Sequence, residues 1–404
     1  MPTQTSLLAQ LQQIDAADSF QNYGTRLPYT FVHGEGARMW DDAGRQYLDF
    51  LGGIAVVVMG HNHPRVTEAI AHQASQILHT SNFFYIEPQV KLAAKLSEMS
   101  GGMRAFFCNS GAEANEAAIK IARRYAYDNG ETGRNEIVTL WKSFHGRTLG
   151  ALAATGQPKY QEGFGPMPAG FRHVHMNDIE ELRATVTDKT AAVMFETILG
   201  ESGVLPLDEA FVRAAREICD EKGALLILDE VQCGMGRTGQ FFAHSWYDVE
   251  ADMIPLAKGL ANGVPIGAVL AREEVALALA PGSHGTTFGG NFLASAAALA
   301  TLQAMEDENA IENAAKVGDY FAQKLSDWGA QTGLADTARG RGLMLGLEIN
   351  RPIARDLMMK GLENGLVFNA VGDSILRFLP PLNISEGDVD EAMEKLNLSL
   401  EALD

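Results

Sequence analysis

Two stretches of this chain carry residues of the right type for carbonyl chemistry. Ala224-Leu225-Leu226-Ile227-Leu228-Asp229-Glu230 is a short apolar run ending in two acids. It reads as a buried parallel strand whose carboxyl end opens into a site. Pro255-Leu256-Ala257-Lys258-Gly259-Leu260 brings one lysine out of small and apolar neighbours. Desolvation lowers the pKa of such a lysine and makes a neutral amine available as a nucleophile. A lysine that forms a Schiff base and an acid that keeps a ring nitrogen protonated are the two groups pyridoxal phosphate (PLP) requires. Lys258 and Asp229 are the candidates.

Four further groupings could surround them. Asn109-Ser110-Gly111-Ala112-Glu113-Ala114-Asn115 follows a strand and opens a helix, where free N–H groups make an anion site; a serine N-cap alone explains it equally well. Phe144-His145-Gly146-Arg147-Thr148 offers an aromatic to stack on a ring and an arginine to clamp a carboxylate, against the plainer reading of a surface loop. Gly285-Thr286-Thr287-Phe288-Gly289-Gly290-Asn291 offers hydroxyls and close-approach glycines, or is a linker. Arg377 lies within an apolar strand and needs an acid or an anionic ligand. Gly234-Met235-Gly236-Arg237-Thr238-Gly239 fits a dinucleotide fingerprint in form, but no helix follows, so it reads as a flexible loop. His61 and His63 lack the cysteines or acids that would complete a metal site, and read as part of a turn before a helix starting at Pro64. No metal is expected.

The elements that must position these residues read as α/β. From about 90 to 290, helices separate apolar strands at Ala105–Cys108, Glu136–Leu140, Ala191–Phe195 and Ala224–Leu228, the pattern of a mostly parallel sheet with ligands beyond the strands' carboxyl ends. Before it come a helix and arm over residues 1 to about 30, then a hairpin over Gly34–Phe50 turning at Asp42-Ala43-Gly44. From about 291 an Ala-rich helix leads into an α+β remainder with strands near Gly342–Ile349 and Ile375–Phe378. At 404 residues two domains are expected. The division is 1–59 as arm and part of a small domain, 60–290 as a large cofactor-binding domain, and 291–404 as the rest of the small domain. A net charge of −19 disfavours nucleic-acid and anionic-membrane surfaces. Three cysteines give no disulfide framework, the start shows no signal-peptide pattern, and no apolar run reaches the ~20 residues of a membrane helix, so a cytoplasmic protein is expected.

With these pieces placed, the chain resembles the class III (subgroup II) PLP-dependent aminotransferases from about Tyr23 to its end. The marks include Gly34-Glu35-Gly36, Gly60-His61-Asn62-His63-Pro64, Ser81-Asn82, Asn109 to Asn115, Phe144 to Thr148, Leu228 to Gln232 and Ala257-Lys258-Gly259. Their order and spacing together are specific. The resemblance implies a fold type I PLP-dependent transferase: a mostly parallel central sheet with helices on both faces plus a smaller α+β domain, acting as a homodimer with shared active sites. It implies that Lys258 carries the cofactor and shuttles the proton, and that Asp229 pairs with the pyridine nitrogen. Val231 and Phe144 would pack on the ring's two faces, with Gln232 near its hydroxyl. Ser110, Gly111 and Ala112 would cradle the phosphate, with Thr287 reaching it from the partner subunit. Asn82 would join the substrate site. Arg147 would hold the carboxylate far from the reacting amine. Arg377 would hold the α-carboxylate of glutamate, masked by Glu201 while an ω-amine reacts.

Within the family the chain looks most like the acetylornithine and succinylornithine branch. It implies transfer of a δ-amine from N2-acetylornithine to 2-oxoglutarate in arginine metabolism. Succinylornithine, ornithine, 4-aminobutyrate and succinyl-diaminopimelate are rival donors; an aminomutase and a non-enzymatic relative are rivals of another class. Two departures from the family pattern, Val57-Val58 after Val56 and a Glu196-Thr197-Ile198-Leu199-Gly200-Glu201 stretch without the usual Pro and Gln between the acids, leave the acyl preference open.

Overall fold

The computed structural model describes residues 6–403 and places a seven-stranded sheet at its centre. Across it run Arg104–Cys108, Gly267–Ala271, Met253–Leu256, Leu225–Leu228, Thr190–Phe195, Glu136–Leu140 and Phe171–Val174. The last five are parallel to one another, and Gly267–Ala271 runs antiparallel to both strands beside it. Continuous apolar runs suit this position because both faces are covered. Leu225, Ile227, Ala192 and Met194 pack with Ala114, Ala118 and Ile121 of the helix Gly111–Asp128. The alternate residues Leu226, Leu228, Val193 and Phe195 join a second core with Phe211, Ala215 and Ile218 of the helix Glu209–Lys222. Each large aliphatic side chain buried this way contributes about 1.5–3 kcal/mol. The Glu209–Lys222 helix stops where Gly223 takes a left-handed conformation (φ 67°), a cap that glycine adopts without a Cβ clash.

The smaller body joins the two ends of the chain. Phe31–Glu35, Arg38–Asp41 and Gln46–Asp49 form an antiparallel meander, and Leu366–Val367 adds to it in parallel. A second antiparallel sheet comprises Arg339–Arg341, Met344–Glu348, Ile375–Phe378 and Asn369–Val371. The helices Ala310–Thr332, Ala354–Glu363 and Glu386–Glu401 pack around these sheets. The Ala-rich helix Phe292–Asp307 packs on Pro64–Ala74 and Glu87–Met99, and the chain changes course at Asn309 (φ 50°). In the N-terminal segment the helix spans Leu7–Asp18; residues 1–5 of the expected arm lie outside the described residues.

One expectation is corrected. Gly234–Gly239 is buried throughout rather than a flexible loop. Gly239 lies so close to the Ala310–Thr332 helix that a Cβ there would sit 2.8 Å from Ala315 Cβ. Arg237, 1% exposed, donates to the carbonyls of Leu343 and Pro380, pinning the loop to the smaller body. Its burial pushes the guanidinium pKa down to about 9. The glycines serve close packing between bodies, a need that produces the same spacing as a phosphate loop.

Among the described residues no helix is long and apolar enough to cross a membrane. His61 bonds Asp49 Oδ2 at 2.8 Å and His63 bonds Glu308 Oε1 at 2.6 Å, so each imidazole has a carboxylate partner.

Candidate active site

The strand Leu225–Leu228 ends at Asp229, and its parallel neighbour Met253–Leu256 ends just before Lys258. Parallel neighbours finish on one edge of the sheet, so both groups reach one cavity of about 420 Å³. Ser110, Gly111, Ala112, Phe144, Arg147, Asp229, Val231, Gln232 and Lys258 all line it, with Asn115, His145 and Glu196.

Asp229 is 2% exposed and held from three sides. Asn115 Nδ2 donates to Oδ2 at 2.7 Å, His145 Nδ1 lies 2.7 Å from the same oxygen, and the Val231 N–H donates to Oδ1 at 3.0 Å. The carboxylate cannot rotate without breaking these bonds, so its direction toward the cavity is set in advance. Lys258 sits in a left-handed conformation (φ 44°), a strained backbone for a lysine. Burial lowers its pKa, opposed by the nearby charges of Glu201 and Glu196.

The Gly111–Asp128 helix begins at the same edge. Ser110 caps it, its Oγ accepting from Glu113 N at 3.2 Å, so the N-cap reading and the anion-site reading fall on one residue. The Gly111 and Ala112 N–H groups have no carbonyl within the helix and stand at the cavity rim as donors. Gly111 is required by contact: a Cβ would stand 2.7 Å from Val231 Cγ1. Arg147 is exposed, with its guanidinium 3.9 Å from the Tyr160 ring centroid and 5.5 Å from that of Phe144. Stacking orients the fork and leaves its edge donors free.

Arg377 and Glu201 meet. The Nη1–Oε1 distance is 2.7 Å, with Arg377 2% exposed. Arg377 Nε donates to Asn369 Oδ1 at 3.0 Å and Nη1 to the Gly200 carbonyl at 3.1 Å. Gln232 Nε2 donates to Glu201 Oε1 at 3.2 Å, leaving its own carbonyl oxygen buried without a partner. Burial works to raise the Glu201 pKa, and the charges of Arg377 and Lys258 outweigh it, so the carboxyl is held below its ordinary value. Asn82 and Thr287 do not line the cavity. Asn82 Nδ2 donates to the carbonyls of Thr286 and Gly289, at 3.1 and 3.3 Å, which ties these two segments to each other.

Sequence reasoning passed over Asn115, His145, Tyr160, Asn369 and Glu196. The first two stand inside stretches already singled out, but only the fold shows that they grip Asp229. Glu196 is 4% exposed and accepts from the N–H groups of Phe144 (3.0 Å) and Gly200 (3.3 Å). Burial, opposed by His145, pushes its pKa up to about 7.

These features fit PLP: an amine with no hydrogen-bond or ion-pair partner among the described residues, an acid aimed across the cavity, free donors at a helix start, and an orphaned buried acceptor on Gln232. The comparisons agree. Residues 20–400 match the family described as Aminotransferase class-III. The chain is 50% identical over 377 residues to an acetylornithine aminotransferase of Methanocaldococcus jannaschii, covering 93% of this chain and 94% of that one. It is 48% identical to an acetylornithine aminotransferase of Caldanaerobacter subterraneus, over 92% of this chain and 94% of that one. Its fold matches the crystal structure of an N-acetylornithine aminotransferase from Stenotrophomonas maltophilia with a TM-score of 0.83 at 37% identity, covering 95% and 98% of the two chains. An ornithine aminotransferase from Toxoplasma gondii matches with a TM-score of 0.94 at 33% identity, covering 99% and 96%. Site, fold and sequence agree: this chain belongs to the class-III aminotransferases, PLP-dependent transaminases of fold type I.

Proposed function

We propose that the protein transfers the δ-amino group of N2-acetylornithine to 2-oxoglutarate, giving N-acetylglutamate 5-semialdehyde and glutamate, as a step of arginine metabolism. The observation that carries this reading is the 2.7 Å Arg377–Glu201 pair beside Lys258. A donor reacting through an ω-amine presents a neutral carbon chain where glutamate presents its α-carboxylate. A bare arginine would favour only the second. A pair that closes for one substrate and opens for the other serves both.

PLP, when bound, supplies the electron sink that makes the C–H bond beside the amine acidic. The protein's residues do the rest. Asp229, fixed by Asn115, His145 and the Val231 N–H, would face the ring nitrogen and hold its proton. Lys258, with its amine pKa depressed by burial, would take the proton from the substrate carbon and deliver it to the cofactor carbon. Phe144 and Val231 would flank the ring, Gln232 would receive its hydroxyl, and the Ser110–Ala112 helix start would take the phosphate. Arg147 binds the donor's α-carboxylate at the outer end of the cavity. Arg377, freed from Glu201, binds the α-carboxylate of glutamate and the matching group of 2-oxoglutarate.

The same reading makes the working unit a cytoplasmic homodimer with shared sites. Asn82 and Thr287 stand away from their own cavity, and their neighbours Phe83, Phe84, Tyr85 and Phe288 are large exposed aromatics, as a subunit interface requires. Three buried free cysteines suit a reducing compartment. The relatives named for acetylornithine support the acyl donor. The test is kcat/KM over a panel of N-acetylornithine, N-succinylornithine, ornithine and 4-aminobutyrate with 2-oxoglutarate. N-acetylornithine should lead by about tenfold or more, ~1.4 kcal/mol of transition-state preference. A lead by any other donor overturns the reading.

A further inference from the structure

We propose that Glu196 is the positioning residue that anchors the Glu201–Arg377 pair, fixing its main chain so that opening is a swing of the Glu201 side chain alone. The proposal rests on reading that pair as movable.

Glu201 lies at the tip of a small hairpin formed by Ile198–Leu199 and Leu205–Pro206. The tip's backbone and flanks are tied down on every side. Gly200 N–H donates to Glu196 Oε1 at 3.3 Å, and Gly200 O accepts from Arg377 at 3.1 Å. Ser202 Oγ donates to the Lys142 carbonyl, and Arg339 Nε donates to the carbonyls of Gly203 and Val204, both at 3.0 Å. Among the described residues the Glu201 side chain itself is bonded only to Arg377 and Gln232. The backbone is therefore fixed and the side chain is the part free to move.

Among those ties Glu196 has a particular position. Burying a carboxylate is costly unless its bonds are made. Both oxygens of Glu196 are used, one on Gly200 and one on the Phe144 N–H at 3.0 Å. One carboxylate thus ties the ring-flanking loop to the base of the gate. When Glu201 turns away and Arg377 engages a ligand, the Arg377–Gly200 bond is the one exposed to change, and Glu196 still holds the Gly200 peptide. Gly200 in turn seats Gln232: a Cβ there would lie 2.0 Å from Gln232 Oε1, so any shift of Gly200 moves the second partner of Glu201 as well. A glutamine at 196 cannot replace the anchor. Its amide has one acceptor oxygen, and its NH2 would face one of the two N–H groups.

The experiment measures binding of glutarate, a dicarboxylate with no reacting group, to PLP-loaded enzyme by calorimetry. Wild type, Glu201→Ala, Glu196→Gln and the double variant are compared. Glu201→Ala should tighten glutarate binding by unmasking Arg377. Glu196→Gln should tighten it about three- to tenfold by loosening the closed pair, and the double variant should match Glu201→Ala alone, since residues acting through one element are not additive. Unchanged affinity in Glu196→Gln, weaker binding, or full additivity in the double variant would overturn the anchor. Unchanged affinity in Glu201→Ala would instead overturn the movable pair. Should Glu196→Gln not fold, Glu196→Asp, too short to span both N–H groups, reads the same effect with the charge kept.

Discussion

At the scale of residues, labour is divided between a lysine that moves a proton and a set of groups that hold still. Lys258→Ala should remove general-base catalysis, a loss of at least about 10²–10⁴-fold in turnover, while circular dichroism stays native. Asp229→Asn keeps the shape of the side chain and removes the negative charge facing the ring nitrogen. The loss should be on the order of several kcal/mol in the barrier, read from single-turnover rates with PLP still bound. Unchanged rates would assign the role elsewhere. Glu196 predicts a pH effect of definite sign. Its pKa rises from the ordinary 4.5 to about 7 in the fold, so the native state holds this proton more tightly than the unfolded chain does. The stability it contributes is complete below pH 4.5 and is lost as pH rises to about 7. Melting temperatures of Glu196→Gln should fall less than those of wild type across that window; parallel profiles would show that Glu196 does not titrate there.

At the scale of elements, the site depends on strands and a helix ending at one edge, with contact distances that leave no slack. Gly111→Ala places a methyl 2.7 Å from Val231 Cγ1. Overpacking of this kind costs about 1–3 kcal/mol, and here it also displaces the phosphate cradle. PLP affinity measured by equilibrium dialysis should fall by about tenfold, whereas Gly133→Ala, with no atom within 4 Å of the added carbon, should change nothing. The elements legible in the sequence are those whose burial is uniform. Leu225–Leu228 and Thr190–Phe195 are covered on both faces and read as unbroken apolar runs. Phe171–Val174 was not legible because it is an edge strand, paired among the described residues with Glu136–Leu140 alone, and its exposed Arg172 breaks the apolar run. Gly267–Ala271 was hidden for a different reason. It is fully buried but antiparallel, a reversal that no helix–strand alternation announces. For the site, Lys258 and Asp229 were legible because each ends an apolar segment. The Glu196 anchor was not, because it joins Phe144 to Gly200 only once Glu136–Leu140 and Thr190–Phe195 lie side by side; the Arg377–Glu201 pair, implied by the resemblance, gains its geometry only where the hairpin tip meets the Ile375–Phe378 strand.

At the scale of the molecule, the proposed dimer makes a prediction of its own. Asn82 and Thr287 belong to surface segments rich in exposed aromatics, Tyr85 being 96% exposed. Burying such surface against a second copy is favourable at about 25 cal/mol per Å². Phe84→Glu should therefore shift the protein toward monomer in sedimentation velocity and weaken PLP retention together. A dimer with normal cofactor would refute the shared site. The central claim remains that this cavity carries PLP on Lys258 and reacts there. It is tested most directly by reducing the purified, loaded enzyme with borohydride and mapping the labelled peptide by mass spectrometry. One phosphopyridoxyl group per chain on Lys258, lost when N-acetylornithine is added before reduction, is the predicted result. A label on any other lysine, or one that N-acetylornithine does not prevent, would contradict the account.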